Sequence, residues 1–307
     1  LLHLTNLIEL THCYFYKNFA FLISFLIIPF SSNLGITFFS LSSDVALLTK
    51  EAKATNWNAY KLNFENGYRM LNKGEYEKAI EYFNKAVKQY SREGAAYYNR
   101  GNAYSELGKS EEAIKDYLKS IELDSERGNQ YAYNNISIEY DALGDYKNAI
   151  KYINLAIKAY PKDGLYFMNR GSYNLELENF DQAVKDYEKA GELYLKYKNR
   201  TSGYAECPKN KNLVHCQMDS WYYYDLGWAK ENLEDLKGAL DNYNKAIKIN
   251  YPTEEKYFWF SSRGDIKYEI GDEEGACNDY KLAASLGDEE TSEWLNSKDG
   301  KWCKKMN

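Results

Sequence analysis

Apolar residues in this chain recur at the spacing of one helix face, and that face recurs along the chain. Ala79, Ile80, Phe83, Ala86 and Val87 fall at i, i+1, i+4, i+7 and i+8, with mostly polar residues between them. At 3.6 residues per turn these positions form one stripe. A small residue precedes the stripe at a fixed interval. Gly67 stands twelve residues before Ala79, and Gly101 and Ala113, Gly171 and Ala183, Gly227 and Ala239, and Gly264 and Ala276 keep that interval. Ser137 takes the Gly place before Ala149. Small residues at both places let two helices approach closely, and aromatic side chains fill the gap beside them. A single helix pair cannot bury its apolar face alone, so six such units predict a stacked solenoid. The turns are legible too. Gly74, Gly108, Gly144 and Ile270-Gly271 mark where the first helix of a unit ends, and Ser110, Asp145 and Asp272 suit the start of the second.

The best copy runs Tyr97-Tyr98-Asn99-Arg100-Gly101-Asn102-Ala103-Tyr104 and continues to Ala113-Ile114-Lys115-Asp116-Tyr117. It resembles the tetratricopeptide repeat (TPR), a helix-turn-helix unit of about 34 residues, and Gly67 to Gly101 spans 34. The family carries an aromatic residue at its fourth place. Here that place holds Tyr97, Tyr133, Phe167, Tyr223 and Phe260, with Asn63 in the first unit. A second large residue follows each small one by sixteen: Phe83, Tyr117, Ile153, Tyr187, Tyr243 and Tyr280. The resemblance covers residues 57–287. It implies an all-α, right-handed superhelical solenoid of about six helix-turn-helix repeats with a C-terminal capping helix. Repeats one to four occupy 57–194, an inserted loop or helix extension 195–219, repeats five and six 220–287, and the cap and tail 288–307. Trp294 and Leu295 are expected to cover the exposed end of the stack.

The resemblance also implies where a partner binds. In this family the first helix of each unit lines the concave face. The matching positions here include Phe64, Tyr68, Tyr98, Asn99, Asn102, Ser105, Glu106, Tyr131, Asn134, Asn135, Asp141, Asn169, Tyr224, Asp225, Trp228, Ser262 and Asp265. Family members that hold a chaperone's terminal carboxylate use Lys and Arg at several of these places. None of these residues is Lys or Arg, so that function is not expected. The expected site is a groove of aromatics and amides, drawn from Phe64, Tyr68, Tyr98, Asn99, Asn102, Tyr131, Asn134, Asn135, Asn169, Tyr224 and Trp228. It would take a peptide segment or a partner helix. The competing reading is that these side chains only pack neighbouring units together. At the level of the protein, a non-enzymatic interaction scaffold is expected. A self-assembling structural oligomer is the alternative, and an enzyme with a site built by the 195–219 insertion is the least supported class.

Composition narrows the choice. A net charge of −6 argues against nucleic acid, which selects basic patches. The insertion is locally basic, with Lys196, Lys198, Arg200, Lys209 and Lys211. Gly108-Lys109-Ser110 lacks the upstream Gly and strand of a phosphate-binding loop, so it reads as an inter-helix turn. Cys207, His215 and Cys216 fall one ligand short of a closed zinc site, and no metal or cofactor is expected. Residues 1–45 differ in kind. The apolar run from Phe19 to Phe30, behind Lys17, suits a signal-peptide core or a membrane anchor through residues 17–30. Export, or tethering at a membrane, is the expected location, with the cytoplasm as alternative. Cys207, Cys216, Cys277 and Cys303 would then pair as Cys207 with Cys216 and Cys277 with Cys303.

Overall fold

The small and large positions fold into nested helix pairs. A computed structural model describes residues 56–124, 129–197, 214–249 and 256–305, with the side chains of 129–130, 194–197 and 214–219 outside the description. Among the described residues there are fourteen helices and no strand. Helix α1 (56–71) pairs with α2 (Tyr76–Gln89), α3 (Gly94–Glu106) with α4 (Ser110–Leu123), and α5 (Asn129–Ala142) with α6 (Tyr146–Ala159). Then α7 (Gly164–Glu176) pairs with α8 (Phe180–Tyr197), α9 (Val214–Asn232) with α10 (Leu236–Lys248), and α11 (Lys256–Glu269) with α12 (Glu273–Ser285). From α2 onward each helix packs on the one before it and the one after it, the pattern of a solenoid. All of them lie in one compact unit, Thr55–Asn307.

The core has no single centre. Ala79 and Phe83 of α2 pack on Ala103 of α3, Ala113 and Tyr117 of α4 on Ala132 and Ile136 of α5, and Ile153 of α6 on Tyr166 and Tyr173 of α7. Tyr187 then packs with Leu226, Tyr243 with Ile266, and Tyr280 with Leu295. Each second helix thus buries its stripe against the first helix of the next unit, which is why no unit stands alone.

Close approach within a pair depends on the missing Cβ. A methyl added at Gly67, Gly227 or Gly264 would lie 2.7 Å from the ring sixteen residues on: Phe83, Tyr243 or Tyr280. At Gly101 it would lie 2.8 Å from Tyr117, and at Gly171 3.2 Å from Tyr187. The third unit confirms the constraint by compensation. Ser137 replaces Gly there, and the facing residue shrinks from an aromatic to Ile153; both are fully buried. The space released holds the Ser137 hydroxyl, which donates to the Asn134 carbonyl at 2.7 Å.

The turns carry the expected glycines in the left-handed region, with φ of 74° at Gly74, 68° at Gly108, 71° at Gly144 and 86° at Gly271. Glu178 and Glu234 fill the same turn place in units four and five, at φ 57° and 61°. Asp145 and Asp272 cap their helices, accepting from the backbone N–H of Asn148 and Gly275. Ser110 does not cap. It is the first residue inside α4, 6% exposed, and Lys109 holds the cap place without a side-chain bond. The cap residue directly follows the turn glycine in every unit that has both, so the Ser110 assignment is one residue out of register.

Three of the buried carboxylates are clamped by arginines. Arg100 grips Asp116 through Nε and Nη2 at 2.6 and 2.7 Å, Arg170 grips Asp186 at 2.9 and 2.6 Å, and Arg263 grips Asp279 at 2.8 and 2.6 Å. The aspartates are 4%, 2% and 1% exposed. The third guanidinium arm, Nη1, reaches back to an amide of the preceding unit: Asn84, Asn154 or Asn244. Each guanidinium also lies over the ring three residues earlier, Tyr97, Phe167 or Phe260. These clamps occur only in units two, four and six. The equivalent pairs in units one, three and five are Asn66 with Tyr82, Ile136 with Tyr152, and Leu226 with Asn242. The array therefore repeats in twos.

The end of the stack is closed by two short helices, α13 (Glu289–Asn296) and α14 (Lys301–Lys304), where one was expected. Asp288 caps α13 through the Thr291 N–H, and Leu295 is buried as predicted. Trp294 lies 4.9 Å from the Tyr280 ring, between centroids. Trp302 stacks on Tyr268 and adds cover that the sequence reading did not assign. Cys277 of α12 and Cys303 of α14 are bonded, with Cα atoms 5.1 Å apart. Cys207 lies outside the described residues, as does the side chain of Cys216, and so does the leader or anchor over 1–45. Within the insertion, α8 runs on to Tyr197 and α9 begins at Val214; the residues between lie outside the description. Among the described residues no helix is long and apolar enough to cross a membrane.

Two outcomes test this packing. Gly227→Ala gains about 1 kcal/mol of helix propensity but forces the Tyr243 ring to shift, at a cost of about 1–3 kcal/mol. A net loss of stability is expected in urea unfolding, and a gain would refute the close-approach argument. Cys303→Ser is expected to remove about 3 kcal/mol, read as a lower melting temperature that reductant no longer changes.

Candidate functional site

The first helices of the units, α1, α3, α5, α7, α9 and α11, present the residues expected in the groove. Their amides mostly face one another across unit boundaries. Asn135 Nδ2 donates to Asn102 Oδ1 at 3.2 Å and to the Tyr98 hydroxyl at 3.3 Å, joining α5 to α3. Asn169 donates to Asn134 Oδ1 at 2.9 Å, joining α7 to α5. The Tyr224 hydroxyl lies 3.4 Å from Ser262 Oγ, between α9 and α11. Asn99 donates to the Ala95 carbonyl of its own helix. Phe64 packs between Tyr60 and Phe83. Tyr68, Tyr131 and Trp228 are the expected groove aromatics that stay exposed, at 50%, 57% and 39%.

Units one to three enclose a cleft of ≈ 400 Å³. Asn102, Ser105 and Glu106 of α3 and Asn135, Ile138 and Glu139 of α5 form its walls, with Leu71, Tyr76 and Tyr117 at its ends and floor. Four of these, Asn102, Ser105, Glu106 and Asn135, occupy concave-face places read from the sequence. Glu139 does not, yet it is 4% exposed and still lines the cleft. The Tyr117 hydroxyl donates to Asn102 Oδ1 at 2.9 Å. Burial, and then the Glu139 charge, push the Tyr117 phenol far above its ordinary range.

Beyond the cleft the same wall is acidic. Asp141, Glu176, Asp225, Glu231, Asp265 and Glu269 follow along α5 to α11. Among the described residues none of them is in an ion pair. Three accept a hydrogen bond from a buried tyrosine of a second helix: Asp225 from Tyr187 at 3.0 Å, Glu231 from Tyr243 at 2.5 Å and Asp265 from Tyr280 at 2.8 Å. Those hydroxyls explain why units four to six carry Tyr rather than Phe at that position. Burial raises the carboxyls of Asp141, Glu231 and Asp265, and neighbouring acids raise them further. Asp225 is pushed up to about 7 by burial, with Glu176 adding to the rise and the Tyr187 bond opposing it. No group of three or more His, Cys, Asp or Glu suited to a metal ion occurs among the described residues.

Comparison with known proteins places the repeats in a family. Models of the tetratricopeptide repeat match residues 94–126, and also 71–91, 131–163 and 222–252. A model described as SHNi-TPR matches 171–201. The chain is 25% identical over 176 residues to a TPR repeat-containing protein of Methanocaldococcus jannaschii, covering 57% of this chain and 28% of that one. It spans less than a third of the length of the curated relatives it matches, at 28%, 17% and 29%. In fold it is similar to pilF of Pseudomonas aeruginosa, with a TM-score of 0.57, 16% identity, and 79% of this chain and 99% of that one covered. It is also similar to YrrB, described as a TPR protein with an unusual peptide-binding site, with a TM-score of 0.54, 21% identity, and coverage of 70% and 97%.

The raised carboxyl of Asp225 fixes the sign of a pH effect. The folded chain holds that proton up to about pH 7, whereas an unfolded aspartate releases it near pH 4. Folding therefore takes up a proton in that window, and this group's contribution to stability falls as pH rises through it. Asp225→Asn keeps an acceptor for Tyr187 and removes the titration. It is expected to be more stable than the native chain at pH 8 by roughly 2 kcal/mol, allowing for solvent screening, with the difference vanishing toward pH 4. Denaturant unfolding of both proteins across that range checks it; a constant difference would remove Asp225 as the cause.

Proposed function

Because this chain is a multi-repeat tetratricopeptide protein, we propose that it is a non-enzymatic scaffold that holds a peptide segment of a partner protein along its inner wall. One observation carries this reading: the cleft between α1, α3 and α5 opens on concave-face places of units two and three, with Leu71 and Asn72 of unit one beside them. Amide bridges fix its walls in advance, so little ordering is required on binding. Ile138, Tyr68 and Tyr131 supply exposed apolar area on the same three first helices, at 42%, 50% and 57% exposure. Asn102, Ser105 and Asn135 offer groups suited to an extended backbone. Action outside the cytoplasm belongs to the same proposal. It is supported by the apolar run between Phe19 and Phe30 and by the Cys277–Cys303 bond, of a kind kept in oxidising compartments.

The test is a displayed peptide library panned against the full chain. Ser105→Trp, which places an indole in the cleft, is expected to weaken the selected peptides at least tenfold while leaving the melting temperature close to native. Peptides that bind the Ser105→Trp protein as well as the native one would sink the proposal.

A further inference from the structure

The cleft is short of hydrogen-bond donors. The Tyr117 hydroxyl is committed to Asn102, and the Asn135 amide to Asn102 and Tyr98. The Tyr76 phenol is engaged by Glu106, whose charge holds it above its ordinary value. Glu139 is left over. It is 4% exposed, lines the cleft, and its carboxylate accepts no hydrogen bond or ion pair among the described residues. A cation entering with a ligand gives that carboxylate the ion-pair partner it lacks among the described residues.

Resting on the peptide-groove reading above, we propose that the cleft between α1, α3 and α5 seats a lysine or arginine side chain of the bound peptide, with Glu139 as its counter-charge. The Ser105 hydroxyl, which also lines the cleft, supplies a further acceptor for an ammonium or guanidinium. A charge-assisted hydrogen bond is stronger than a neutral one. The remainder of the wall carries the same sign. Asp141, Glu176, Asp225, Glu231, Asp265 and Glu269 continue along it without ion pairs among the described residues, so a partner with several basic residues is steered and held along its length. The partner segment is therefore basic, and acidic or C-terminal-carboxylate peptides are excluded by repulsion.

Synthetic copies of the selected peptides provide the experiment, read by fluorescence anisotropy with the full chain. Lysine or arginine is expected at one fixed place in the selected sequences. Replacing it by glutamine should weaken binding tenfold or more. Glu139→Gln, which keeps the side-chain shape, should abolish the preference between the basic and the glutamine peptide without lowering the melting temperature. Peptides blocked by Ser105→Trp but showing no basic preference would overturn this inference and leave the groove reading standing. No selectable peptide, or peptides indifferent to Ser105→Trp, would overturn both. Concentration-dependent self-association that Glu139→Gln abolishes would replace the separate partner by a second copy of this chain.

Discussion

The whole array rests on five places where a side chain is missing. At each, a glycine backbone lies against an aromatic ring sixteen residues later, so near that an added methyl would fall 2.7 to 3.2 Å from it. That contact sets how near the two helices of a unit come. The distance within a unit sets where the second helix offers its apolar stripe, and the stripe sets where the next unit docks. Where the chain departs from the rule it changes both partners at once: Ser137 stands against Ile153, and the freed volume takes a hydroxyl that the Asn134 carbonyl satisfies. Interiors packed at crystal density admit such paired changes and resist single ones.

Polar groups then divide the two sides of the rod. Toward the second helices, arginine and aspartate meet in buried bidentate pairs, with Lys267 joining the one at Asp279. Toward the first helices, carboxylates gather with tyrosine hydroxyls for company and no cation among the described residues. Both arrangements bury acids, yet they differ in what they leave unsatisfied. The paired aspartates are complete. Glu139 is incomplete, and the acidic wall around it gives that incompleteness a direction.

Much of the fold was legible because its signals are local and repeated. The turn glycines and the cap aspartates can be read from a few neighbouring residues, and the twelve-residue interval from a small residue to Ala recurs in all six copies. Trp294 and Leu295 were recognisable as an end because the pattern stops before them. The clamps were missed although their spacing was in plain view. Arg100, Arg170 and Arg263 stand one residue before their glycines, and Asp116, Asp186 and Asp279 one before their tyrosines, so they share the sixteen-residue interval of the small and large positions. The groove was less legible. Whether Asn135 faces a ligand or Asn102 depends on how two units, thirty-three residues apart, rotate against each other, and no local pattern encodes that. Glu139 falls outside the family's usual concave-face places, and a glutamate in a polar helix gives no local sign that it will be 4% exposed.

The alternation of clamps gives the rod a grain. Each guanidinium is anchored in an even-numbered unit and extends its last arm to the unit before it, never to the unit after. The boundaries between α4 and α5, and between α8 and α9, therefore carry no such arm. Cutting the chain between Leu123 and Asn129, or between Tyr197 and Val214, leaves all three clamps whole. Cutting it within a doublet deprives an arginine of its amide. For dissecting, shortening or grafting this protein, the natural module is the four-helix block.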